Sequence, residues 1–347
     1  MKRYKYLDVA RGIAMMLIIT GHSCGLSKYL SYFFIQVFFL LSGCLYRPGR
    51  SYGENIRKKA KRLLLPYFGY SAILLAFYVL MGRSLRETAF SAVGILYSRY
   101  CLYDVAMTAE ADNIFFFNIA NGAMWYLTAF FVTGLIFHLV IDRCLESRKF
   151  LVVCIAALTA ITMAFTKLPV LLPWSLDIAF VGAIFMIVGA LLMRADFFEK
   201  KWNIWLILAT LAAYVGLVEL NPGINTSARE YGVYGMFSVL LYILIGIGGS
   251  LLCIWLAKLI QDTFFGTFFT FIGTNTLVLL AFHILGLEIF GIAANRLIDT
   301  GALSGVGKAL YHTVRISVSI AGSLILGKML DFVMGKLRSL IKGNAEK

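Results

Sequence analysis

The chain has 347 residues, of which 60% are hydrophobic and 14% charged, with a formal net charge of +14. This composition excludes a soluble globular domain and indicates an integral membrane protein. The positive charge lies in alternate loops rather than in one patch, which argues against a nucleic-acid partner.

The first apolar stretch, residues 7–26, is long enough to cross a bilayer core of about 30 Å. Asp8, Arg11 and His22 interrupt it, and their spacings of three and eleven residues place them on one helical face. Ionisable residues within a span usually face the bundle interior and carry function. Taken singly, Arg11 is equally well interpreted as an anchor that reaches the headgroups, and His22 as a polar residue near the opposite end. Because no small-residue cleavage site follows, we expect this span to be retained.

Nine further apolar runs predict an all-α bundle of ten transmembrane helices in a single domain, residues 1–347. The predicted spans are 7–26, 30–46, 63–81, 123–142, 150–166, 174–193, 203–220, 235–257, 268–291 and 309–334. Outside these spans, 21 Lys and Arg residues lie on the side of the N-terminus and 8 on the other side. Positive residues collect in cytoplasmic loops, so both termini are expected in the cytoplasm.

The longest predicted stretch outside a span is residues 83–121, which this topology places on the outer side. Its aromatic residues, from Tyr97 and Tyr103 to Phe115-Phe116-Phe117, favour an interfacial helix. A lid over an acceptor site is the alternative. The loop 221–234 is a second candidate for contact with an outside acceptor.

Short motifs in the first half of the chain accompany the pair of Arg11 and, after ten intervening residues, His22. They are Phe38-Phe39-Leu40-Leu41-Ser42-Gly43, Lys61-Arg62-Leu63-Leu64-Leu65-Pro66-Tyr67 and Met124-Trp125-Tyr126-Leu127. In these motifs the chain resembles the acyltransferase-3 family of multi-pass membrane O-acyltransferases. The segment Leu172-Pro173-Trp174-Ser175-Leu176-Asp177 further suggests the fucose 4-O-acetylase-like branch. The resemblance is specific over the first 130 residues.

This resemblance implies an enzyme that moves an acyl group from cytosolic acyl-CoA, most often acetyl-CoA, to a hydroxyl of a glycan or glycolipid. It also implies residence in a bacterial plasma membrane. The transfer needs a base, and His22 suits it because a neutral imidazole, with an ordinary pKa near 6.5, accepts a proton at physiological pH. Arg11 lies about 16 Å from His22 along the helix axis, a distance suited to the pantetheine arm of coenzyme A. Asp8 is expected to orient or neutralise Arg11.

The basic run 57–62 precedes the third span and contains five cations. Its basic character follows from topology alone, since cytoplasmic loops are generally basic. Coenzyme A carries several phosphate charges, however, and Lys58, Lys61 and Arg62 are predicted to hold them together with Arg11. The resemblance favours Arg62, which is the basic residue ahead of the motif proline.

Four residues are predicted to contact the acceptor, each with a simpler alternative. Trp125 opens the fourth span, where an aromatic belt is the ordinary expectation. Asp177 either binds acceptor hydroxyls or caps a helix. His283 is the rival to His22 as base, and Glu288 lies five residues after it. At this spacing the two residues lie only loosely on one face, which favours a structural or supporting role for His283.

Six cysteines at positions 24, 44, 101, 144, 154 and 253 show no CxxC pair, so neither a metal site nor a disulfide framework is predicted.

Two other functions stay open. A transporter or flippase of an anionic or sugar-linked solute would also need a charged stripe, although the paired interrupted helices typical of transporters are not evident. A catalytically silent relative that binds a partner is the third possibility.

Overall fold

The fold is almost entirely helical. The structure is a computed structural model that describes residues 4–99, 102, 122–200 and 203–345. Helix accounts for 81% of it. Within the described residues, the strands form one short antiparallel pair, Ile224–Asn225 and Glu230–Tyr231. The helices are α1 Lys5–Cys24, α2 Lys28–Ser31, α3 Phe34–Cys44, α4 Tyr52–Leu80, α5 Leu85–Tyr97, α6 Trp125–Glu146, α7 Arg148–Phe165, α8 Leu176–Arg194, α9 Ile204–Leu220, α10 Ser238–Ile260, α11 Phe264–Thr274, α12 Thr276–Asn295 and α13 Gly305–Ala345.

The predicted multi-pass helical bundle is confirmed. Among the described residues, eight helical segments are long and apolar enough to cross a membrane, and three shorter apolar segments accompany them, Lys28–Cys44, Ile204–Leu220 and Phe264–Thr274. Each of the ten predicted spans corresponds to one of these segments, except that the predicted span 268–291 is divided at Asn275 into α11 and α12. The side-chain amide of Asn275 donates to the carbonyl of Phe271, 2.8 Å away, so it satisfies a carbonyl at the C-terminal end of α11. The cytoplasmic placement of both termini stays a prediction.

Helix α1 lies at the centre of the bundle, in contact with α3, α10, α11, α12 and α13. Two glycines allow α11 to approach its backbone. A Cβ on Gly12 would lie 1.9 Å from the carbonyl oxygen of Phe269, and one on Gly273 would lie 2.0 Å from that of Asp8. Such distances are far below a carbon–oxygen contact, so any side chain at either position would separate the helices. Small residues at helix interfaces are typical of membrane bundles, where close backbone packing drives association.

The same packing explains part of the motif that ends in Ser42-Gly43. A Cβ on Gly43 would lie 1.9 Å from the carbonyl oxygen of Met186 in α8. In return, a Cβ on Gly189 would lie 2.0 Å from the carbonyl oxygen of Leu40 in α3. The motif glycine therefore holds α3 against α8, on one side of α1.

Helix α4 begins with a capping box, in which the Ser51 hydroxyl accepts from the Glu54 amide and the Glu54 carboxylate accepts from the Ser51 amide. Pro66 lies inside this helix. Proline has no N–H, so the carbonyl of Arg62, four residues earlier, loses its helical hydrogen bond. The basic run of the sequence thus forms the first turns of a long helix rather than a loop.

Candidate active site

Arg11, one of the three residues of the polar stripe predicted on α1, lines a cavity of about 540 Å³. Arg11, Met15 and Ile18 are the α1 residues of its wall, and they lie on the same face as His22 by helical spacing. Leu277 and Leu280 of the neighbouring helix α12 also line the cavity. The cavity therefore follows α1 from Arg11 for about two turns towards its C-terminal end.

Cations concentrate at the end of the cavity near Arg11. The other cations of the lining are Arg47, Arg50, Lys58, Lys59 and Arg62. No Asp or Glu occurs among its lining residues within the described chain. Nearby, the Tyr46 hydroxyl donates to the carboxylate of Asp142. The wall therefore presents a positive field to the cavity.

Three of the four residues predicted to bind the donor, Arg11, Lys58 and Arg62, line this cavity. Lys61 does not; it is exposed and lies outside the lining. Lys59 also lines the cavity, although it was not among the residues predicted to bind the donor. Its Nζ lies 5.0 Å from the ring centroid of Phe130. Gly134 makes room for its stem, since a Cβ there would lie 2.7 Å from Lys59 Cδ. Gly134, a small residue in the fourth predicted span, was the feature of the sequence that could have indicated space for a long side chain.

Asp8 and Arg11 form the ion pair that their spacing predicted. Arg11 Nη1 lies 3.1 Å from Asp8 Oδ1, and the side chains are 20% and 14% exposed respectively. The pairing offsets part of the cost of a charged group at membrane depth. Arg11 is thereby kept beside the cavity, where a guanidinium suits a phosphate or carbonyl oxygen.

Tyr126 contributes a buried hydroxyl to the cavity wall. Its ring packs among those of Phe38, Phe39 and Phe130, with centroids 5.3 to 5.7 Å apart. The hydroxyl has no hydrogen-bond partner in the part of the chain that the structure describes. A buried polar atom without a partner is costly and is often the contact point of a ligand. The preceding residue, Trp125, is buried and lies outside the lining, with the Arg99 guanidinium 5.9 Å from its ring.

His22 and His283 come together one turn beyond the cavity. His22 is in the last turn of α1, four residues after Ile18, and His283 is three residues after Leu280. Their ring centroids are 5.2 Å apart, with His22 exposed and His283 fully buried. The cavity-lining faces of α1 and α12 therefore both continue to an imidazole, one turn beyond the lining.

Helix α13 secures the end of α1 beside this pair. Arg315 donates from Nη1 to the carbonyl of Ser23, at 3.2 Å, and from Nε to the carbonyl of Leu287, at 3.0 Å. The Ser23 hydroxyl also bonds to His312 Nδ1, 3.2 Å away. Carbonyls at a helix C-terminus lack intrahelical donors, and a guanidinium is a favourable substitute. Arg315 therefore ties the C-terminal end of α1 to α12.

Glu288 is not in contact with His283. Its exposed carboxylate accepts from the Tyr78 hydroxyl, 2.7 Å away, in α4. Their spacing of five residues places them only loosely on one helical face, and in the structure each has its own partner, Tyr78 for Glu288 and His22 for His283. Among the described residues, the aromatic neighbour of His283 is His22.

Asp177 lies in a buried ionic cluster. Its carboxylate pairs with Arg99 and, at 3.3 Å, with Arg229, and the three side chains are at most 1% exposed. It also accepts from the amide of Leu172, 3.1 Å away, as a residue in the first turn of α8. This placement joins three segments of the chain through one buried carboxylate, and no side-chain capping bond is present at the start of α8 among the described residues. Contact of Asp177 with an acceptor stays a prediction. These ion pairs were not predicted from the sequence, because Arg99 is 78 residues and Arg229 is 52 residues from Asp177 along the chain.

The residues before α8 have unusual backbone geometry. Trp174 and Ser175 have φ values of 54° and 55°, a region that residues with a side chain rarely adopt. The Trp174 indole donates to the carbonyl of Leu96, 2.8 Å away, and this contact holds the turn. The turn packs the predicted branch motif against α5.

Several sequence predictions fall outside the described residues. Tyr103 and Phe115-Phe116-Phe117, on which the interfacial-helix and lid hypotheses depend, belong to this group, as does Cys101. Within the described part of the chain, α5 occupies the beginning of the predicted outer segment. The described cysteines are unpaired, and no cluster of His, Cys, Asp and Glu there has metal-binding geometry.

One protein-family model matches almost the whole chain. The family model described as an acyltransferase domain matches residues 4–327. Neither the curated proteins nor the solved structures provide a match. The assignment to the fucose-specific branch stays a prediction.

Proposed function

The chain belongs to the acyltransferase-3 family, and from this membership we propose that it is an acyl-CoA-dependent O-acyltransferase of the membrane. In this proposal it transfers an acyl group, most often acetyl, to a hydroxyl of a cell-surface or lipid-linked glycan. The observation that carries the proposal is the cavity that leads from a cationic wall, along α1, to within one turn of His22.

The cationic wall supports a donor with several negative charges. Arg11, Lys58, Lys59 and Arg62 suit the phosphates of coenzyme A, because charge-assisted hydrogen bonds to phosphate are strong in a partly enclosed site. Beyond them the lining becomes apolar, with Met15, Ile18 and Leu280. This change in polarity suits a molecule with a charged head, a slender arm and a small acyl group. We place the phosphates at the N-terminal end of α1, on the side predicted to be cytoplasmic.

His22 is the proposed general base. Its ring accepts the proton of the acceptor hydroxyl while the hydroxyl oxygen attacks the thioester carbonyl. Collapse of the tetrahedral intermediate breaks the carbon–sulfur bond, and His22 returns the proton to the departing thiolate. The exposure of His22 suits a base that must meet an acceptor from outside the cavity, whereas the donor approaches through the cavity. Direct transfer predicts no stable acyl-enzyme, which distinguishes it from a histidine nucleophile.

The test is thioester consumption by the purified protein in lipid nanodiscs, supplied with acetyl-CoA and a glycan acceptor. We expect release of coenzyme A that requires the acceptor, together with an acylated glycan detected by mass spectrometry. Binding without thioester consumption, for every acceptor offered, would contradict the enzymatic function and favour a silent relative. Movement of a sugar-linked solute across sealed vesicles without thioester consumption would favour the transporter.

A further inference from the structure

The hydrogen bonds of His283 define which of its nitrogens carries the proton. Its Nδ1 lies 2.8 Å from the carbonyl oxygen of Leu279 and 3.2 Å from that of Leu280. Carbonyl oxygens only accept, so Nδ1 must bear the hydrogen. In the neutral imidazole, Nε2 then holds the lone pair and is an acceptor.

This acceptor nitrogen is buried and lacks a partner. The side chain of His283 is 0% exposed, and Nε2 has no hydrogen-bond partner in the described part of the chain. The Nδ1 bonds hold the ring of His283. The Ser319 hydroxyl donates to the backbone carbonyl of His283 at 2.7 Å and so holds this turn of α12 against α13. The neighbouring ring is that of His22, with 5.2 Å between centroids.

We propose that His283 is a positioning residue for the acyl transfer, whose Nε2 accepts the N–H of His22 and so selects the tautomer of the base. Two imidazoles joined by a hydrogen bond of about 2.9 Å have centroids about 5 Å apart, so a small rotation of the exposed His22 ring forms this bond. The other nitrogen of His22 is then left unprotonated and turned to the acceptor hydroxyl. This inference rests on the proposed function and adds a residue to it.

The pair performs the task that a carboxylate–histidine pair performs in many hydrolases. When His22 takes the hydroxyl proton, it becomes an imidazolium, and its N–H bond to neutral His283 stabilises that charge. The proton stays on His22 and passes to the departing thiolate, so His283 begins and ends the reaction neutral. Among the described residues, no carboxylate contacts either ring, and Glu288 is bonded to Tyr78. His283 is therefore the group in place to orient His22.

The first experiment replaces His283 with Leu, which keeps the bulk without an acceptor, and with Gln, whose side-chain carbonyl can accept from His22. We expect His283→Leu to lower kcat by about 10- to 100-fold, by analogy with the loss that follows removal of a group that orients a metal-bound imidazole. The KM for acetyl-CoA is expected to remain within about twofold, and His283→Gln to recover most of the lost kcat. Unchanged kcat in folded His283→Leu would overturn the proposal, as would a Gln variant no better than Leu.

A double-mutant cycle separates this proposal from the proposed function. In the His22→Ala background, His283→Leu is expected to cost nothing further, because its effect passes through His22. A further loss as large as in the wild-type background would contradict the pairing. If His22→Ala itself retains full turnover, the proposed base is wrong, and the failure lies in the proposed function.

A spectroscopic measurement tests the pairing without catalysis. Nitrogen-15 NMR of histidine-labelled protein in nanodiscs, assigned with single variants of the four histidines, reports the tautomer of each ring. We expect one neutral tautomer for His22 in the wild type and a mixture in His283→Leu. If His283→Leu fails to fold, the wild-type spectrum still decides, because a mixed population at His22 would overturn the proposal.

Discussion

The backbone of Gly12 lies directly against that of Phe269, so that a Cβ on the glycine would be 1.9 Å from the Phe269 carbonyl oxygen. Gly12 follows Arg11, and this contact sets the distance between α1 and α11 at the level of the cationic wall. The position of Asp8, Arg11 and His22 relative to α11 therefore depends on Gly12, which has no side chain.

Replacing Gly12 with Ala is expected to destabilise the protein, because the α1 and α11 backbones must separate to admit a methyl group. A cost of about 1–3 kcal/mol is typical of overpacking. Thermal unfolding of the detergent-solubilised protein measures it. Gly216→Ala in α9 is the matched control: its Cβ would meet nothing within 4 Å, and alanine favours a helix by about 1 kcal/mol. Equal melting temperatures for the two variants would argue against the close contact.

Arg62→Ala is expected to weaken acetyl-CoA binding by about 10-fold or more, since a charged hydrogen bond contributes about 1.5–3 kcal/mol. Lys61→Ala, its neighbour in α4, is the control and should leave affinity within about twofold, because Lys61 is exposed and lies outside the cavity lining. Isothermal titration calorimetry at low and high salt measures both. An equal loss in the two variants would mean that the net charge of the run matters rather than the cavity wall.

Replacing His22 with Ala is expected to lower turnover by about 10² to 10⁴-fold, the usual contribution of a positioned general base. Donor affinity should change little, because the cavity lining ends one turn before His22. Steady-state kinetics and calorimetry on the same preparation give the two quantities. Near-normal turnover in the folded variant would remove α1 from the chemical step.

Tyr126→Phe is expected to weaken donor binding by about 2- to 12-fold, corresponding to one hydrogen bond of about 0.5–1.5 kcal/mol. Stability without donor should be unchanged or slightly higher, because the hydroxyl has no partner among the described residues. Tyr67→Phe is the matched control, since the Tyr67 hydroxyl donates to the Ile95 carbonyl at 2.6 Å. That variant should lose stability and keep its donor affinity, and the reverse pattern would contradict the assignment.

Asp177→Asn is expected to lower stability by about 3–5 kcal/mol, the cost of removing one partner from a buried ionic group. Two guanidiniums, those of Arg99 and Arg229, lose their carboxylate. Glu219→Gln is the control; its carboxylate pairs with Lys28 and is 50% exposed, so about 1 kcal/mol or less is expected. A stable Asp177→Asn variant with weakened acceptor binding would favour the acceptor role predicted from the sequence.

The sequence by itself determined the membrane bundle and the polar stripe of α1. Both follow from periodicity and length, because a helix of 3.6 residues per turn places Asp8, Arg11 and His22 on one face whatever surrounds it. The glycine and proline of the motifs were visible in the same way. Their physical roles, close packing of α3 on α8 and loss of one helical hydrogen bond in α4, became evident only with the neighbouring helices in place.

The tertiary structure decided which side chains meet. Helix packing turns the face of α4 that carries Lys58, Lys59 and Arg62 towards the cavity, and Gly134 on α6 leaves room for the Lys59 stem. Lys61, two residues after Lys59, is on another face of the same helix. His283 lies beside His22 rather than Glu288, and Asp177 lies between two distant arginines. Helical periodicity fixes the face of a residue only relative to its own helix. The partner of that face depends on how the helices pack, and in this bundle close backbone contacts such as that of Gly12 with Phe269 set that packing.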